Sequence, residues 1–226
     1  MPALEAAERC FFILSNKIIA PSILACDFSV LGQQVEQVEK IGCKMLHLDI
    51  MDGHFVPNIS FGPQIVASLR PKSKMIFDVH LMITNPTLYI NAFAKAGADI
   101  ITFHLECNED TKQVIDKIRS SGCKVGLSIK PGTSVKSILP YLGSIDMALV
   151  MSVEPGYGGQ KFTESSLQKI KEIKQAAPLL DIQVDGGINR DTARLVIEAG
   201  ANILVAGTAV FGAPDYKKAI EELLGK

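Results

Sequence analysis

Eight short apolar runs alternate with amphipathic segments along this chain, and this alternation constrains its fold more than any other feature. The runs are Ile18–Leu24, Lys44–Ile50, Met75–Leu81, Ile100–Phe103, Lys124–Ile129, Met147–Met151, Ile182–Val184 and Ile203–Val205. Runs that are aliphatic or β-branched on both faces are typical of parallel strands covered by helices. The pattern therefore predicts an α/β protein with a parallel sheet.

The segments between the runs carry helical signals. Apolar residues repeat at helical spacing in one of them, at Leu31, Val35, Val38 and Ile41. Prolines suited to a first helical turn and glycines suited to a helix end occur at Pro86, Pro214, Gly97, Gly122 and Gly200.

Eight β-then-α units predict one (β/α)8 TIM barrel, a fold whose usual size is about 250 residues. The chain has 226 residues, and no linker or change in composition divides it. We assign residues 17–226 to the barrel and residues 1–16 to an N-terminal extension outside the repeat. A doubly wound open sheet is the alternative fold.

Composition narrows the partners and the compartment. The formal net charge is −1 with both signs interspersed, so no basic surface indicates nucleic acid or an anionic membrane. The five cysteines form no C-x-x-C pair, which favours a reducing compartment and predicts a cytoplasmic protein. No apolar run approaches the roughly 18 residues that cross a bilayer.

Histidines and carboxylates stand at the ends of several predicted strands. His47 and Asp49 are two residues apart and so share one strand face, and His80 and Asp185 end two further runs. In a barrel the carboxyl ends of the strands meet at one mouth. Together the four side chains would make an N2O2 site for a divalent cation that acts as a Lewis acid. Taken singly, each is equally compatible with a hydrogen-bonded loop residue.

The two aspartates suggest a reaction class. Asp49 and Asp185 lie on predicted strands three positions apart in the ring, so we expect them to face a ligand from opposite sides. One could remove a proton from one face of a carbon acid, and the other could return a proton to the opposite face of the planar enediolate that forms. This pair favours epimerisation. The polar neighbours are interpreted as supporting or structural residues, namely Asp52, His54, Asp78, His104, Glu106 and Glu154.

Glycine-rich loops follow the last three predicted strands. They contain Gly156-Tyr157-Gly158-Gly159, Gly186-Gly187 and Gly207-Thr208. Backbone N–H groups in such loops can surround an anion, and the last two loops form the recurrent phosphate site of this fold. No Walker A or G-x-G-x-x-G pattern indicates a nucleotide. Three strand-end methionines are either core residues or an apolar wall of the site, namely Met51, Met82 and Met151.

These segments together resemble the ribulose-phosphate 3-epimerases, a metal-dependent family of the ribulose-phosphate-binding barrels. The resemblance extends from about residue 17 to the C-terminus. It is strongest in His47-Leu48-Asp49-Ile50-Met51-Asp52-Gly53-His54-Phe55-Val56-Pro57-Asn58 and in Met151-Ser152-Val153-Glu154-Pro155-Gly156-Tyr157-Gly158-Gly159. Ala20-Pro21-Ser22, Asp78-Val79-His80 and Asp185-Gly186-Gly187 also match. Two departures are Thr208, where a serine is usual, and Cys26, where a small residue is usual.

The resemblance implies interconversion of D-ribulose 5-phosphate and D-xylulose 5-phosphate in the pentose phosphate pathway by a homo-oligomer, either dimer or hexamer. It implies Asp49 as proton acceptor and Asp185 as proton donor. It implies one divalent metal, zinc first and iron, manganese or cobalt as alternatives, on His47, Asp49, His80 and Asp185. Substrate contacts are assigned to Ser22, His80, Met51, Met82, Met151, Gly156, Tyr157, Gly158, Gly159, Gly186, Gly187, Gly207 and Thr208. The alternatives are an epimerase for allulose 6-phosphate and a non-catalytic phosphate-binding barrel.

Overall fold

Residues 17–226 are described by a computed structural model of the chain, and their parallel strands are arranged around a central axis. The eight strands are β1 (Ile18–Pro21), β2 (Met45–Met51), β3 (Ile76–Met82), β4 (Ile100–His104), β5 (Lys124–Ile129), β6 (Met147–Met151), β7 (Asp181–Asp185) and β8 (Ile203–Ala206). The predicted extension, residues 1–16, lies outside the described residues.

Strand pairing follows chain order around a ring. The hydrogen-bonded order is β1-β8-β7-β6-β5-β4-β3-β2, with every pair parallel. A parallel bridge between Ser22 and His47 then connects the β1 end to β2. The order confirms the single-domain barrel and contradicts the doubly wound sheet, in which helices would cover both faces of an open sheet.

Eight α-helices surround the described strands. They are α1 (Leu31–Lys40), α2 (Pro63–Leu69), α3 (Ile90–Ala96), α4 (Thr111–Ser120), α5 (Ser165–Ala176), α6 (Arg190–Ala199), α7 (Thr208–Phe211) and α8 (Tyr216–Leu223). Glycines in the left-handed region end two of them, Gly97 after α3 with φ 106° and Gly200 after α6 with φ 117°. Within the described part of the chain, no helix combines the length and apolar composition that crossing a membrane requires.

The connection from β5 to β6 differs from the predicted repeat. Residues 130–146 contain two 3-10 segments, Val135–Ser137 and Leu139–Ser144, in place of an α-helix. Pro140 lies in the second segment, where a proline lacks the N–H that an α-helix interior needs, and Gly143 adds backbone freedom. The prediction of eight regular β-then-α units was therefore wrong at the fifth unit.

Two smaller differences concern residues next to predicted elements. Ser22 was predicted late in the first strand, but β1 ends at Pro21 and Ser22 caps a 3-10 turn, Ile23–Ala25. Ile41 was predicted on the apolar face of the first helix, but it follows the end of α1 and is 36% exposed. A proline at position 21 and a glycine at position 42 explain early ends for both elements.

Alternation along β2 separates the outer core from the barrel interior. Leu46, Leu48 and Ile50 pack in the large cluster between strands and helices. Met45 packs instead with interior residues of other strands. His47 and Asp49 have the same parity as Met45, so they also face the interior. The amino-terminal interior is thus apolar, and the carboxyl-terminal interior carries the polar residues.

Candidate active site

Two histidines and two aspartates converge at the carboxyl end of the barrel. One ligand atom from each of His47, Asp49, His80 and Asp185 lies within 4.8 Å of the others. Nδ1 of His80 is 3.1 Å from Oδ1 of Asp49 and 3.2 Å from Nε2 of His47. Oδ2 of Asp185 is 3.9 Å from Nε2 of His47 and 4.0 Å from Nδ1 of His80. Two imidazole nitrogens and two carboxylate oxygens at these separations suit a divalent cation.

Asp78 orients His47 from inside the barrel. Oδ2 of Asp78 lies 2.8 Å from Nδ1 of His47 and accepts a second bond, also 2.8 Å, from Nε2 of Gln183. The hydroxyl of Thr102 donates to the other oxygen of Asp78 at 2.7 Å. A carboxylate that accepts from Nδ1–H leaves the lone pair of a neutral His47 on Nε2, the nitrogen that faces the cluster.

The two cluster aspartates have opposite protonation preferences. Burial opposes ionisation of Asp49, but His47 and His80 outweigh it and hold the pKa of this carboxyl below its ordinary value. Burial and the neighbouring Asp49 charge raise the pKa of Asp185. Environments that separate the pKa values of two carboxyl groups are suited to one base and one acid.

Ser22 contacts the cluster through Asp49. Its hydroxyl donates to Oδ2 of Asp49 at 2.6 Å, and Oγ also accepts from the backbone N–H of Leu24 at 3.3 Å. Ser22 and Asp49 are both buried. Asp49 thus has one oxygen directed at the histidines and the other held by Ser22.

A cavity of about 790 Å³ opens above the cluster. Most of the predicted substrate contacts line it, namely Ser22, Met51, Met82, Met151, Gly156, Tyr157, Gly158, Gly159, Gly186, Gly187, Gly207 and Thr208. Asp49 and Asp185 also reach its surface. His47 and His80 are fully buried behind these carboxylates. The structure therefore brings the sequence-predicted residues to one mouth, as the sequence indicated, and leaves their individual roles as predictions.

The three methionines serve both interpretations that the sequence left open. Met51 and Met82 pack in one buried cluster with Val56, and Met151 packs in another with Leu149 and Val153. All three are at most 4% exposed and line the cavity. They form core and an apolar cavity wall at once.

The glycines after β7 allow a close approach between two loops. Gly186 has φ 112°, and a Cβ there would lie 2.4 Å from Cγ2 of Val153. Gly187 has φ 62°, and its Cβ would lie 2.7 Å from the backbone nitrogen of Phe162. A larger residue at either position would displace the β6 loop from the cavity rim.

The β6 loop is attached to the β2 loop across the cavity mouth. Asn58 donates through Nδ2 to the carbonyl of Gly156 at 2.8 Å, and the Tyr157 hydroxyl donates to the carbonyl of Pro57 at 2.7 Å. The Tyr157 side chain therefore contacts a loop as well as the cavity rim.

The sequence did not single out Thr102 or Gln183. Both are fully buried and bond to Asp78. The sequence signal for both is a polar side chain at an interior-facing position of an otherwise apolar strand. Burying such a group costs free energy unless it is hydrogen-bonded, so it indicates a partner.

His104 also belongs to the buried polar network. Its Nε2 is 2.8 Å from Nε2 of His80, and its Nδ1 is 3.2 Å from Oε2 of Glu106. Burial lowers the pKa of His104 to about 4, although Glu106 acts in the opposite direction. His54, in contrast, is exposed and its Nδ1 bonds to the carbonyl of Asp52 at 2.9 Å.

Comparison with known proteins supports the resemblance seen in the sequence. Residues 18–211 match the model of the ribulose-phosphate 3 epimerase family. The chain is 51% identical over 212 residues to a ribulose-phosphate 3-epimerase of Bacillus subtilis (strain 168), which covers 92% of this chain and 98% of the relative. It is 42% identical over 209 residues to the cytoplasmic isoform of Oryza sativa subsp. japonica, covering 91% and 92% of the two chains. A chloroplastic enzyme of Arabidopsis thaliana is 46% identical over 216 residues, covering 93% and 77%.

Solved structures of low sequence identity share the fold. A tryptophan synthase α-subunit variant from Pyrococcus furiosus superposes with a TM-score of 0.71 at 16% identity, covering 93% of this chain and 98% of that one. Orotidine 5′-phosphate decarboxylase from Pyrococcus horikoshii OT3 superposes with a TM-score of 0.68 at 13% identity, covering 92% and 97%. At such identities the similarity establishes the barrel alone.

Proposed function

Because this chain belongs to the ribulose-phosphate 3-epimerase family, we propose that it interconverts D-ribulose 5-phosphate and D-xylulose 5-phosphate by proton transfer at C3 between Asp49 and Asp185. The observation that carries this proposal is the convergence of two histidines and two aspartates beneath an open cavity. The glycine loops at the cavity rim support a phosphorylated substrate.

The donor set fits a divalent metal ion. Nε2 of His47, Nδ1 of His80 and one oxygen each of Asp49 and Asp185 would hold it, because these four atoms lie within 4.8 Å of one another. When bound, the ion would supply Lewis-acid stabilisation of negative charge on the substrate oxygens. We propose zinc first, with iron, manganese and cobalt as alternatives.

The aspartates perform the proton transfers in this proposal. Ionised Asp49 removes the C3 proton of ribulose 5-phosphate, which leaves an enediolate with a planar C3. Protonated Asp185 then donates its proton to the opposite face of C3, and the product is xylulose 5-phosphate. The reverse reaction exchanges the two roles. The pKa of Asp49 is lowered and that of Asp185 is raised, so Asp185 is the carboxyl group of the pair that holds a proton more readily.

Ser22 and the cavity wall would position the sugar. The Ser22 bond to Oδ2 fixes the Asp49 carboxylate, so less reorientation is needed when the proton moves. The three methionines line this cavity and would exclude water from one side of the reacting carbon. Backbone N–H groups of the loops after β7 and β8 would hold the phosphate, and Thr208, in place of the usual serine, retains both a hydroxyl and an N–H.

Proton NMR of ribulose 5-phosphate in D2O with metal-loaded protein tests the proposal. Deuterium at C3 together with xylulose 5-phosphate is the expected result. Exchange without inversion would contradict the two-carboxylate step, and neither exchange nor inversion with metal bound would overturn the substrate assignment. A parallel measurement with allulose 6-phosphate tests the hexose alternative. The presence of all four candidate ligands argues against a non-catalytic barrel.

The cellular setting is also part of the proposal. We propose a cytoplasmic homo-oligomer, dimer or hexamer, that acts in the pentose phosphate pathway. The four cysteines in the described residues are free and buried, which suits a reducing compartment. Size-exclusion chromatography with light scattering measures the oligomeric state, and metal analysis of the purified protein identifies the ion.

A further inference from the structure

A chain of three side chains leads away from the cluster on the side opposite His47. Nδ1 of His80 faces Asp49 within the cluster, and its other nitrogen, Nε2, lies 2.8 Å from Nε2 of His104. Nδ1 of His104 lies 3.2 Å from Oε2 of Glu106. His80 and His104 are fully buried and their rings are stacked with centroids 5.0 Å apart. The two imidazoles are thus held against each other inside the barrel, away from solvent.

The Glu106 carboxylate determines which nitrogens of His104 and His80 carry hydrogen. A carboxylate only accepts hydrogen bonds, so Nδ1 of His104 must carry the hydrogen that Glu106 accepts. A neutral His104 then has its lone pair on Nε2. Two nitrogens 2.8 Å apart share one hydrogen, so this hydrogen must belong to Nε2 of His80. When His80 is neutral, its lone pair is then on Nδ1, the atom that faces Asp49 and His47.

We infer that Glu106, acting through His104, is a positioning residue that fixes the tautomer of His80 and keeps the Nδ1 lone pair directed at the cluster. The sequence alone suggested a structural role for Glu106. The inference rests on the proposed function, because a directed lone pair matters only if the cluster binds a metal ion. His47 reaches the same result directly through Asp78, whereas His80 requires a second imidazole between itself and a carboxylate.

The β5 loop holds Glu106 so that its orientation is fixed. Oε1 accepts from the backbone N–H of Lys130 at 2.8 Å and from the hydroxyl of Thr133. Nζ of Lys169 in turn binds the carbonyls of Lys130, Pro131 and Thr133 at 2.6–3.0 Å. Because Oε1 is committed to two donors, Oε2 is the oxygen left for His104.

Because of this arrangement, Glu106→Gln would reverse the direction of the hydrogen bonds from residue 106 through His104 to His80, and would not merely remove them. The amide oxygen of the glutamine would stay on the two β5-loop donors, because an NH2 group there would face the Lys130 N–H. The amide NH2 would then face Nδ1 of His104, which could only accept. His104 would carry its hydrogen on Nε2, and His80 would be left with its hydrogen on Nδ1, pointing into the cluster.

The first test compares Zn2+ affinity of metal-free wild type and Glu106→Gln by chelator competition. We expect affinity to fall about 10–100-fold, as for other residues that orient a metal-binding histidine. The matched control is Glu109→Gln. Glu109 belongs to the same loop and braces it by accepting from the N–H of Thr87 at 2.9 Å and its hydroxyl at 2.5 Å, without touching a histidine in the described structure. The control should bind Zn2+ within about twofold of wild type, and its thermal unfolding should match that of Glu106→Gln.

The possible outcomes separate this inference from the proposed function. Unchanged affinity in a folded Glu106→Gln protein would overturn the inference while leaving the metal site intact. An equal loss of Zn2+ affinity in Glu109→Gln would mean that Glu106 only stabilises the loop, and it would also overturn the inference. Failure of the wild type to bind Zn2+, Fe2+, Mn2+ or Co2+ would instead reject the proposed metal function.

A second measurement requires no variant to fold. The chain has four histidines, so 15N-histidine labelling and long-range 1H–15N correlation spectra of the metal-free wild type can show which nitrogen of each ring bears hydrogen. We expect hydrogen on Nε2 of His80 and on Nδ1 of His104. Hydrogen on Nδ1 of His80 with a lone pair on Nε2 would overturn the inference. Glu106→Gln should show the reversed pattern at both rings.

Discussion

Ser22 donates its hydroxyl to Asp49 across 2.6 Å at the place where the first and second strands meet. The neighbouring Ser22–His47 bridge links β1 to β2. One serine therefore contributes both to the closure of the barrel and to the orientation of a candidate base. This double role makes Ser22 the first residue to test.

Ser22→Ala should lower kcat/KM for ribulose 5-phosphate by about 10–100-fold. The lost hydrogen bond to a charged group contributes about 1.5–3 kcal/mol, and each 1.36 kcal/mol corresponds to about a factor of ten in rate. Steady-state kinetics of metal-loaded protein measure the effect. Ser68→Ala, which removes an exposed hydroxyl from α2, should be indistinguishable from wild type, and an unaltered Ser22→Ala would remove Ser22 from the site.

Gly126→Ala should disturb the cluster from inside the barrel. Gly126 pairs with Thr102 across β5 and β4, and a Cβ at this position would lie 2.1 Å from the Thr102 hydroxyl oxygen. We expect a loss of about 1–3 kcal/mol in the free energy of unfolding. Weaker Zn2+ binding should accompany it, because Thr102 bonds to Asp78 and Asp78 to His47.

Gly132→Ala is the matched control for this change. Gly132 follows the same strand, and a Cβ there would meet no atom within 4 Å. Chemical denaturation of both variants gives the free energy of unfolding, and chelator competition gives the Zn2+ affinity. A Gly126→Ala protein as stable and as tightly binding as Gly132→Ala would contradict the packing described around Asp78.

Asp185→Asn should separate the two proton transfers. Starting from ribulose 5-phosphate, Asp49 could still exchange the C3 proton with D2O, but no acid would serve the opposite face. Inversion should fall by about 10²–10⁴-fold, while washing-in of deuterium decreases less. Proton NMR records both processes in one sample. Asp49→Asn should lose both from this substrate, and near-wild-type inversion in Asp185→Asn would reject the mechanism.

The described cysteines should be inert in the native protein. Burial raises the pKa of the Cys26 and Cys43 thiols to about 12. The pKa values of Cys107 and Cys123 are also raised by burial. In a Cys10→Ser background, which leaves only these four thiols, a disulfide reagent at pH 8 should react slowly in buffer and at once in denaturant. Rapid titration of any thiol in buffer would contradict the burial.

The Cys26 and Cys43 thiols should make the protein less stable in alkali. Their folded pKa lies near 12 and their unfolded pKa near 9, so between these values the unfolded state releases the proton and the native state retains it. Stability is then full below pH 9 and falls as pH rises, by about 1.4 kcal/mol per pH unit for each thiol. Chemical denaturation of wild type and of Cys26→Ala/Cys43→Ala from pH 8 to 10.5 measures the free energy of unfolding against pH. This free energy should fall less steeply with pH in the variant, and equal slopes would contradict the raised thiol pKa values.

The strands were predictable because their environment is simple. A parallel barrel strand is covered on both faces, so its sequence is an uninterrupted apolar run, and the polar exceptions at His47, Asp49, His80 and Asp185 stand out against it. Their convergence at one mouth, confirmed in the structure, follows from the common direction of the strands. The composition of each strand and its position in the chain were sufficient to predict the barrel and the convergence of these residues.

Other features depend on three-dimensional relations that no local pattern encodes. The β5–β6 connection carries apolar residues at near-helical spacing, but it forms two 3-10 segments. The contact of His80 with His104 depends on the rotation of two rings on neighbouring strands. The commitment of Glu106 to the next loop could be seen only once both loops were in place.

The pairing of β1 with β8 joins the two ends of the barrel sequence. Ile18 lies opposite Ile203, and the backbone N–H of Ser22 donates to the carbonyl of Ala206. During synthesis the first strand therefore lacks this ladder partner until β8 has been made. Pairing of such distant segments is slow and leaves strand edges open to aggregation. The contact of Ser22 with Asp49 at the barrel seam thus depends on a strand that is made about 180 residues after β1.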